Sequence, residues 1–179
     1  MNFAQLPFDA DEMLAGLRSW VECESPTFDR FAVNRMMDLA SRELAMMGAV
    51  VERIPGRMGL GDVVRARFPH AKMNEPGILI AGHLDTVHPI GTLEKLPFHR
   101  DGALCYGPGI CDMKGGNYLA LEAIRQLARS GAQTPLPITV LFTPDEEIGT
   151  PSQRDLEHFS ISVNRWGLNE PAVAGSRGQ

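Results

Sequence analysis

Cysteine is scarce in this sequence and badly spaced for structural duty. Cys23, Cys105 and Cys111 are odd in number and form no Cys-x-x-Cys pair, which argues against a disulfide framework and against a zinc knuckle. No long basic run interrupts a chain of net charge −5, so nucleic acid and anionic membranes are poor partners. No apolar stretch approaches the roughly 20 residues of a membrane span. The opening residues are acidic and hold no basic segment followed by an apolar one, so they do not read as a secretory signal. A reducing cytoplasm is the expected compartment.

Several hydrolase signatures are missing too. Gly-x-Ser-x-Gly does not occur, which removes the nucleophile elbow of many serine hydrolases. His-Glu-x-x-His is also absent. Asp85-Thr86 invites comparison with an aspartic protease loop, but Val87 stands where such a loop needs glycine, and there is no second copy.

What remains is the composition of an ordinary globular chain. With 179 residues, 44% of them apolar and 22% charged, it has the length of one domain with its own core. Asp9 or Asp11 can cap a helix running to about Glu22, with Met13, Leu14, Leu17 and Val21 on one face, and Ser25-Pro26 breaks it. A second helix is expected from about Phe28 to Met47, with Phe31, Met36, Leu39, Leu44 and Met47 at helical spacing and Gly48 at its end.

Strands follow at Val50–Ile54 and at Asp62–Phe68, the second alternating apolar and charged residues. The run Gly77–Gly82 is almost wholly apolar, as in a strand buried on both faces. After a long loop, Gly115–Arg129 reads as a helix with Leu119, Ile124 and Leu127 among its apolar positions. Ile138–Phe142 reads as another buried strand, and Pro151–His158 as the start of a further helix. Alternating strands and helices predict an α/β layer sandwich.

Three polar clusters sit where strands stop or a helix begins, and the carboxyl ends of strands are where α/β sheets bind ligands. In Gly82-His83-Leu84-Asp85, residues two apart on an extended chain share a side, so Asp85 can reach the His83 imidazole. Such a carboxylate fixes the tautomer of a metal-bound histidine; a simple polar pair at a strand end is the alternative. In Gly107-Pro108-Gly109-Ile110-Cys111-Asp112-Met113-Lys114-Gly115-Gly116, glycines surround one carboxylate at a helix mouth. A phosphate loop would need Lys-Ser or Lys-Thr, which Lys114-Gly115 does not supply. A helix cap would also explain Asp112. In Asp145-Glu146-Glu147, adjacent acids repel one another unless a positive group sits among them, although a solvated acidic turn would look the same. Taken together, His83, Asp112 and Glu147 offer the nitrogen and oxygen ligands that zinc, cobalt or manganese accept, with Glu146 left over to act as a base.

The strings GHLDTVHP, YGPGICDMKGGN and TVLFTPDEEIGTPSQRDL resemble the M20 family of metallopeptidases and amidohydrolases, and the Gly-Pro-Gly form of the middle string is nearest to the glutamate carboxypeptidase branch. The match runs in order and spacing over residues 83–155, with weaker similarity over the preceding strands. The resemblance implies a three-layer α/β/α zinc-peptidase-like catalytic domain, incomplete at its C-terminal side. It makes His83 a ligand of one metal, Asp112 the carboxylate bridging two, and Glu147 a ligand of the other. Asp85 becomes the partner of His83, and Glu146 the general acid/base. Glu170, in Asn169-Glu170-Pro171, falls where the family places another ligand of the metal held by His83. His88 and His99 match no ligand position.

The resemblance further implies two divalent metal ions, zinc in the first instance with cobalt or manganese as alternatives. The implied substrate is a small peptide or N-acyl amino acid, and relatives of full length are expected to be homodimers. Such relatives are roughly twice this length. They insert a dimerisation domain and then return to complete the catalytic sheet with a late histidine ligand. No histidine follows His158 here, so residues 1–179 are expected to be the N-terminal part of the catalytic domain. The expected chemistry is carboxypeptidase- or deacylase-type amide hydrolysis by a metal-activated water. The competing expectation is a metal-binding fragment or interaction subunit without turnover.

Overall fold

Aspartates open the first two helices. Asp9 caps α1 (Ala10–Glu22), its carboxylate accepting from the backbone N–H groups of Asp11 and Glu12, and Asp29 caps α2 (Arg30–Met46) in the same way. Each cap satisfies two donors that a helix start leaves without partners. The computed structural model describes residues 7–152. Within them follow β1 (Val50–Ile54), β2 (Val63–Arg67), β3 (Ile78–His83), β4 (His99–Asp101), β5 (Leu104–Tyr106), α3 (Gly115–Arg129) and β6 (Ile138–Thr143).

Four of these strands form a sheet in the order β1-β2-β6-β3. The β1–β2 and β2–β6 pairs are antiparallel, while β3 and β6 run parallel with α3 as their crossover. Val64, Ala66, Val140 and Phe142 of the sheet meet residues of α1, α2 and α3 in one buried cluster, so the three helices lie over the same face. Trp20 joins the layers: it is wholly buried and meets Tyr118 and Phe142 edge-on at 5.6 and 6.1 Å. Its indole N–H donates to Glu43 Oε1 at 2.6 Å, so the ring's polar atom is satisfied. The class is the mixed α/β fold that the sequence predicts, and the described residues supply its sheet and one helical layer.

Four expectations need correcting. The 77–82 run is not buried on both faces: β3 pairs only with β6 among the described residues and exposes Ile78 and Ala81 along an edge. Its apolar composition resembles a central strand's, and only the strand order separates the two. The second helix starts at Arg30 rather than Phe28, because Asp29 takes the cap, and Phe31 lies on its solvent side at 66% exposure. Leu119 is likewise exposed at 57%, since Tyr118, Leu121 and Ile124 form the buried stripe of α3. The long loop contains the β4–β5 hairpin, which turns through Gly102 and Ala103, with Gly102 at positive φ in the first turn position. The helix expected over Pro151–His158 and the ligand expected at Glu170 lie outside the described residues.

For function, the important feature is the parallel β3–α3–β6 unit. Its register sets His83 opposite Thr143, the last residues of their strands. The chain leaving β3, the chain leaving β6 and the turn entering α3 therefore gather at one end of the sheet, as in other α/β ligand sites.

Candidate metal centre

His83 is fixed from three sides. Its backbone carbonyl accepts from Asn117 Nδ2 at 2.7 Å. That contact needs close approach of α3 to β3, and a Cβ on Gly82 would lie 2.1 Å from Asn117 Oδ1, so a side chain there would push Asn117 out of the contact. The ring Nδ1 sits 3.0 Å from the main-chain oxygen of Asp85 and 3.3 Å from its Oδ1. With Nδ1–H donating to these oxygens, Nε2 is turned outward and could serve as a ligand atom. It lies 3.0 Å from Asp112 Oδ1 and 3.7 Å from Glu146 Oε2.

Asp112 reaches this point on an irregular turn, Ile110–Lys114, ahead of α3. Gly109 starts the turn at φ +69°, and a side chain there would strike Thr86 Cγ2 at 2.5 Å. The Asp112–Met113 peptide is cis. The alternative reading of Asp112 as a helix cap is not observed, since no side chain caps the start of α3. Glu146 and Glu147 follow β6 in a short 3-10 turn, Glu146–Ile148. Asp145 points the other way: it is wholly buried, and its Oδ2 accepts from the backbone N–H of Ser152. The three adjacent acids are therefore not a solvated run but one inward and two site-facing groups.

Asp85 binds these pieces together. It is wholly buried, and its carboxylate accepts from Thr27 Oγ1 at 2.8 Å and from the backbone N–H groups of Glu146 and Glu147 at 3.2 and 3.3 Å. The sequence suggests its link to His83, whereas its hold on the Glu146-Glu147 turn appears only in the fold. Nothing in the local pattern marks Thr27, because its partner lies 58 residues away.

His83, Asp112 and Glu147 each offer one ligand atom, and these atoms lie within 4.8 Å of one another. The electrostatics suit a cation. Burial alone would pull the His83 imidazole down, but hydrogen bonds to Asp85 and Asp112 and the Asp85 charge push it up to about 9. Burial raises the Glu147 carboxyl, and the negative charges of Asp112, Asp85 and Glu146 add to this against the lowering by His83. The carboxylates thus outnumber the positive groups facing them, and a divalent ion would relieve that repulsion. One nitrogen and two oxygen donors, with Asp85 behind the nitrogen, fit a transition metal of the zinc type. His99 lies apart, stacked on Tyr106 at 4.8 Å, and neither it nor His88 joins the cluster.

A His–Asp–Glu group that could hold a metal ion, with Glu146 beside it, gathered where β3 and β6 end and α3 begins, defines the class: an α/β fold with a candidate metal centre. Residues 79–170 match peptidase family M20/M25/M40. The chain is 33% identical to carboxypeptidase G2 of Pseudomonas sp. (strain RS-16) over 161 residues, which covers 89% of this chain and 38% of that one. It is 41% identical to succinyl-diaminopimelate desuccinylase of Gluconacetobacter diazotrophicus over 84 residues, 45% of this chain and 22% of the relative. Human carnosine dipeptidase 1 superposes with a TM-score of 0.71 at 23% identity, over 88% of this chain and 36% of that one. The M20 family metallo-carboxypeptidase Sso-CP2 of Sulfolobus solfataricus gives 0.70 at 19% identity, over 87% and 35%. These two structures establish the fold. The chain belongs to peptidase family M20/M25/M40, and it spans well under half the length of these relatives.

Proposed function

We propose that this chain carries the N-terminal part of a two-metal site that hydrolyses an amide bond in a small peptide or an N-acyl amino acid. The observation that carries the reading is the convergence of His83, Asp112 and Glu147 within 4.8 Å. In this reading His83 holds one ion, Glu147 the other, and Asp112 reaches both; Glu170, outside the described residues, completes the first. A pair of divalent ions held there, zinc by donor chemistry, would lower the pKa of a bound water and polarise the substrate carbonyl.

The protein's own groups do the rest. Asp85 accepts from His83 Nδ1–H and so keeps Nε2 available for coordination. Glu146 projects into the same space without being needed as a ligand, with Oε2 3.7 Å from His83 Nε2. It takes the proton from the attacking water and returns it to the departing amine. The amide carbon gains a hydroxyl, the C–N bond breaks, and a carboxylic acid and an amine leave. The names of the relatives, a carboxypeptidase and a desuccinylase, support amides of amino acids as the substrate class. The expected homodimer stands on the same resemblance, and the expected cytoplasmic setting on the scarce cysteines and the acidic opening residues; among the described residues no helix is long and apolar enough to cross a membrane.

A second reading concerns residues 1–179 by themselves. The three ligand atoms among the described residues fall short of two ions that each take about four ligands, and the chain covers 38% of carboxypeptidase G2. In this reading residues 1–179 bind metal without turnover, as the N-terminal part of a catalytic domain. Calorimetric titration of zinc into the wild type and into His83→Ala and Asp112→Ala tests the site. Each substitution should weaken binding at least tenfold, and unchanged affinity in both would remove the centre. Release of amino acids from N-acyl amino acids and dipeptides then separates the readings. Turnover that depends on zinc and on Glu146 would overturn the fragment reading.

A further inference from the structure

The segment Cys23–Thr27, between α1 and α2, touches the turn bearing Asp112 and the loop that leaves His83. Lys114, 1% exposed and two positions after Asp112, donates from Nζ to the main-chain oxygen of Cys23 at 2.7 Å. The Glu24 carboxylate accepts from the backbone N–H groups of Gly91 and Leu93, further along the loop leaving His83. Ser25 Oγ donates to Leu84 O at 2.6 Å, and Ser25 O accepts from Thr86 N at 2.9 Å, on either side of Asp85. Thr27 Oγ1 then donates to Asp85 Oδ2 at 2.8 Å.

Packing does not explain these choices. Burying an ammonium group and two hydroxyls costs stability unless each is well paired, and apolar residues of equal size would fill the same space more cheaply. What the polar groups add is direction. The Thr27 bond holds Oδ2 of Asp85, which leaves Oδ1 facing His83 Nδ1 and the Glu146 N–H. The Lys114 bond ties the turn of Asp112 to the end of α1.

We propose that Cys23–Thr27 is a strap that frames the metal centre, with Thr27 and Lys114 as positioning residues that set His83, Asp112 and Glu147 relative to one another. The proposal rests on the metal-centre reading above. It predicts an effect on coordination geometry, not only on folding.

Cobalt(II) titration of the 179-residue chain, followed by visible absorption, tests it. Thr27→Val, Thr27→Ser, Lys114→Met and His83→Ala are compared with the wild type, each checked for a cooperative melt in EDTA. Thr27→Val and Lys114→Met should bind cobalt at least several-fold more weakly, below or up to the roughly 10–100-fold lost when a ligand's direct partner is removed, with displaced absorption bands. Thr27→Ser should restore both affinity and bands. Wild-type affinity and spectrum in folded Thr27→Val and Lys114→Met, while His83→Ala loses cobalt, would overturn the strap and leave the metal centre standing. Weakened binding that Thr27→Ser does not restore also counts against it. If Thr27→Val does not melt cooperatively, Lys114→Met decides. A wild type that binds no cobalt removes the metal centre, and the strap with it.

Discussion

The backbone N–H of Glu147 donates to Asp85 Oδ2 at 3.3 Å, although the two residues follow different strands. Glu146 N–H adds a parallel bond to Oδ1 at 3.2 Å. One buried carboxylate therefore sets both the imidazole of His83 and the turn that bears Glu146 and Glu147. The coupling follows from the parallel register of β3 and β6, which ends both strands side by side.

Asp85→Asn tests that coupling. The amide keeps the shape, but one acceptor becomes a donor. On one side it would face Glu146 N–H and His83 Nδ1, on the other Thr27 Oγ1 and Glu147 N–H. Either orientation leaves donors opposed in a buried site, at a cost of about 1–3 kcal/mol. Urea melts in EDTA should show that loss, and zinc titration should show affinity reduced roughly 10–100-fold. Wild-type values in both would mean that Asp85 is not the hinge of the site.

Glu146→Gln and Glu147→Gln should separate two adjacent carboxylates by role. Glu147 belongs to the cluster of ligand atoms, and Glu146 stands beside it. In the 179-residue chain, Glu147→Gln should lower zinc affinity at least tenfold while Glu146→Gln leaves it near wild type. Joined to the remaining length of carboxypeptidase G2, Glu146→Gln should lose turnover by a factor of about a hundred or more. The reverse pattern, metal lost with Glu146→Gln and kept with Glu147→Gln, would exchange the assignments.

The motif residues were legible in the sequence because each cluster is local: His83 with Asp85, Asp112 among its glycines, and Glu146 with Glu147 occupy short strings. The helices were legible too, since capping aspartates and apolar spacing are local signals. What stayed hidden depends on contacts far apart in the chain. The edge position of β3 among the described residues follows from strand order, which apolar composition does not encode. The roles of Thr27 and Lys114 come from partners 58 and 91 residues away. Phe31 and Leu119 were misplaced for a smaller reason: a helical stripe one position off still looks apolar, and only packing chooses among neighbouring residues.

Trp20→Ala should show how far the core depends on the contact between layers. The side chain is wholly buried against Tyr118 and Phe142, and its N–H satisfies Glu43. Its removal leaves a cavity and a carboxylate oxygen without its indole partner, a loss of about 3–5 kcal/mol. Chemical denaturation followed by far-ultraviolet circular dichroism measures it. A loss under about 1 kcal/mol would show that the helices and sheet do not rely on this residue, contrary to the burial.

The loss of stability with rising pH in the metal-free protein should flatten in the zinc-loaded protein, because the zinc increment grows as the proton's contribution shrinks. Without metal, His83 is held up to about 9 from an ordinary 6.5, so the folded state keeps a proton that the unfolded chain has lost between those values. A raised pKa stabilises fully below the unfolded value and loses that contribution as pH climbs toward the folded one. The slope is about 1.4 kcal/mol per pH unit, so raising pH from 6.5 to 8 should cost about 2 kcal/mol. Lys114 works in the opposite sense, because burial lowers it to about 8; its contribution recovers only above that pH and leaves the lower window to His83. With zinc present, the same proton competes with the metal. Apparent affinity should rise up to about tenfold per unit through this window, and the zinc-induced increase in melting temperature should grow with it. Melts at pH 6.5, 7.2 and 8.0, in EDTA and in zinc, measure both trends on one protein, with His83→Ala flattening the first and abolishing the second. Zinc stabilisation independent of pH, or unchanged in His83→Ala, would mean that the ion is held without this imidazole.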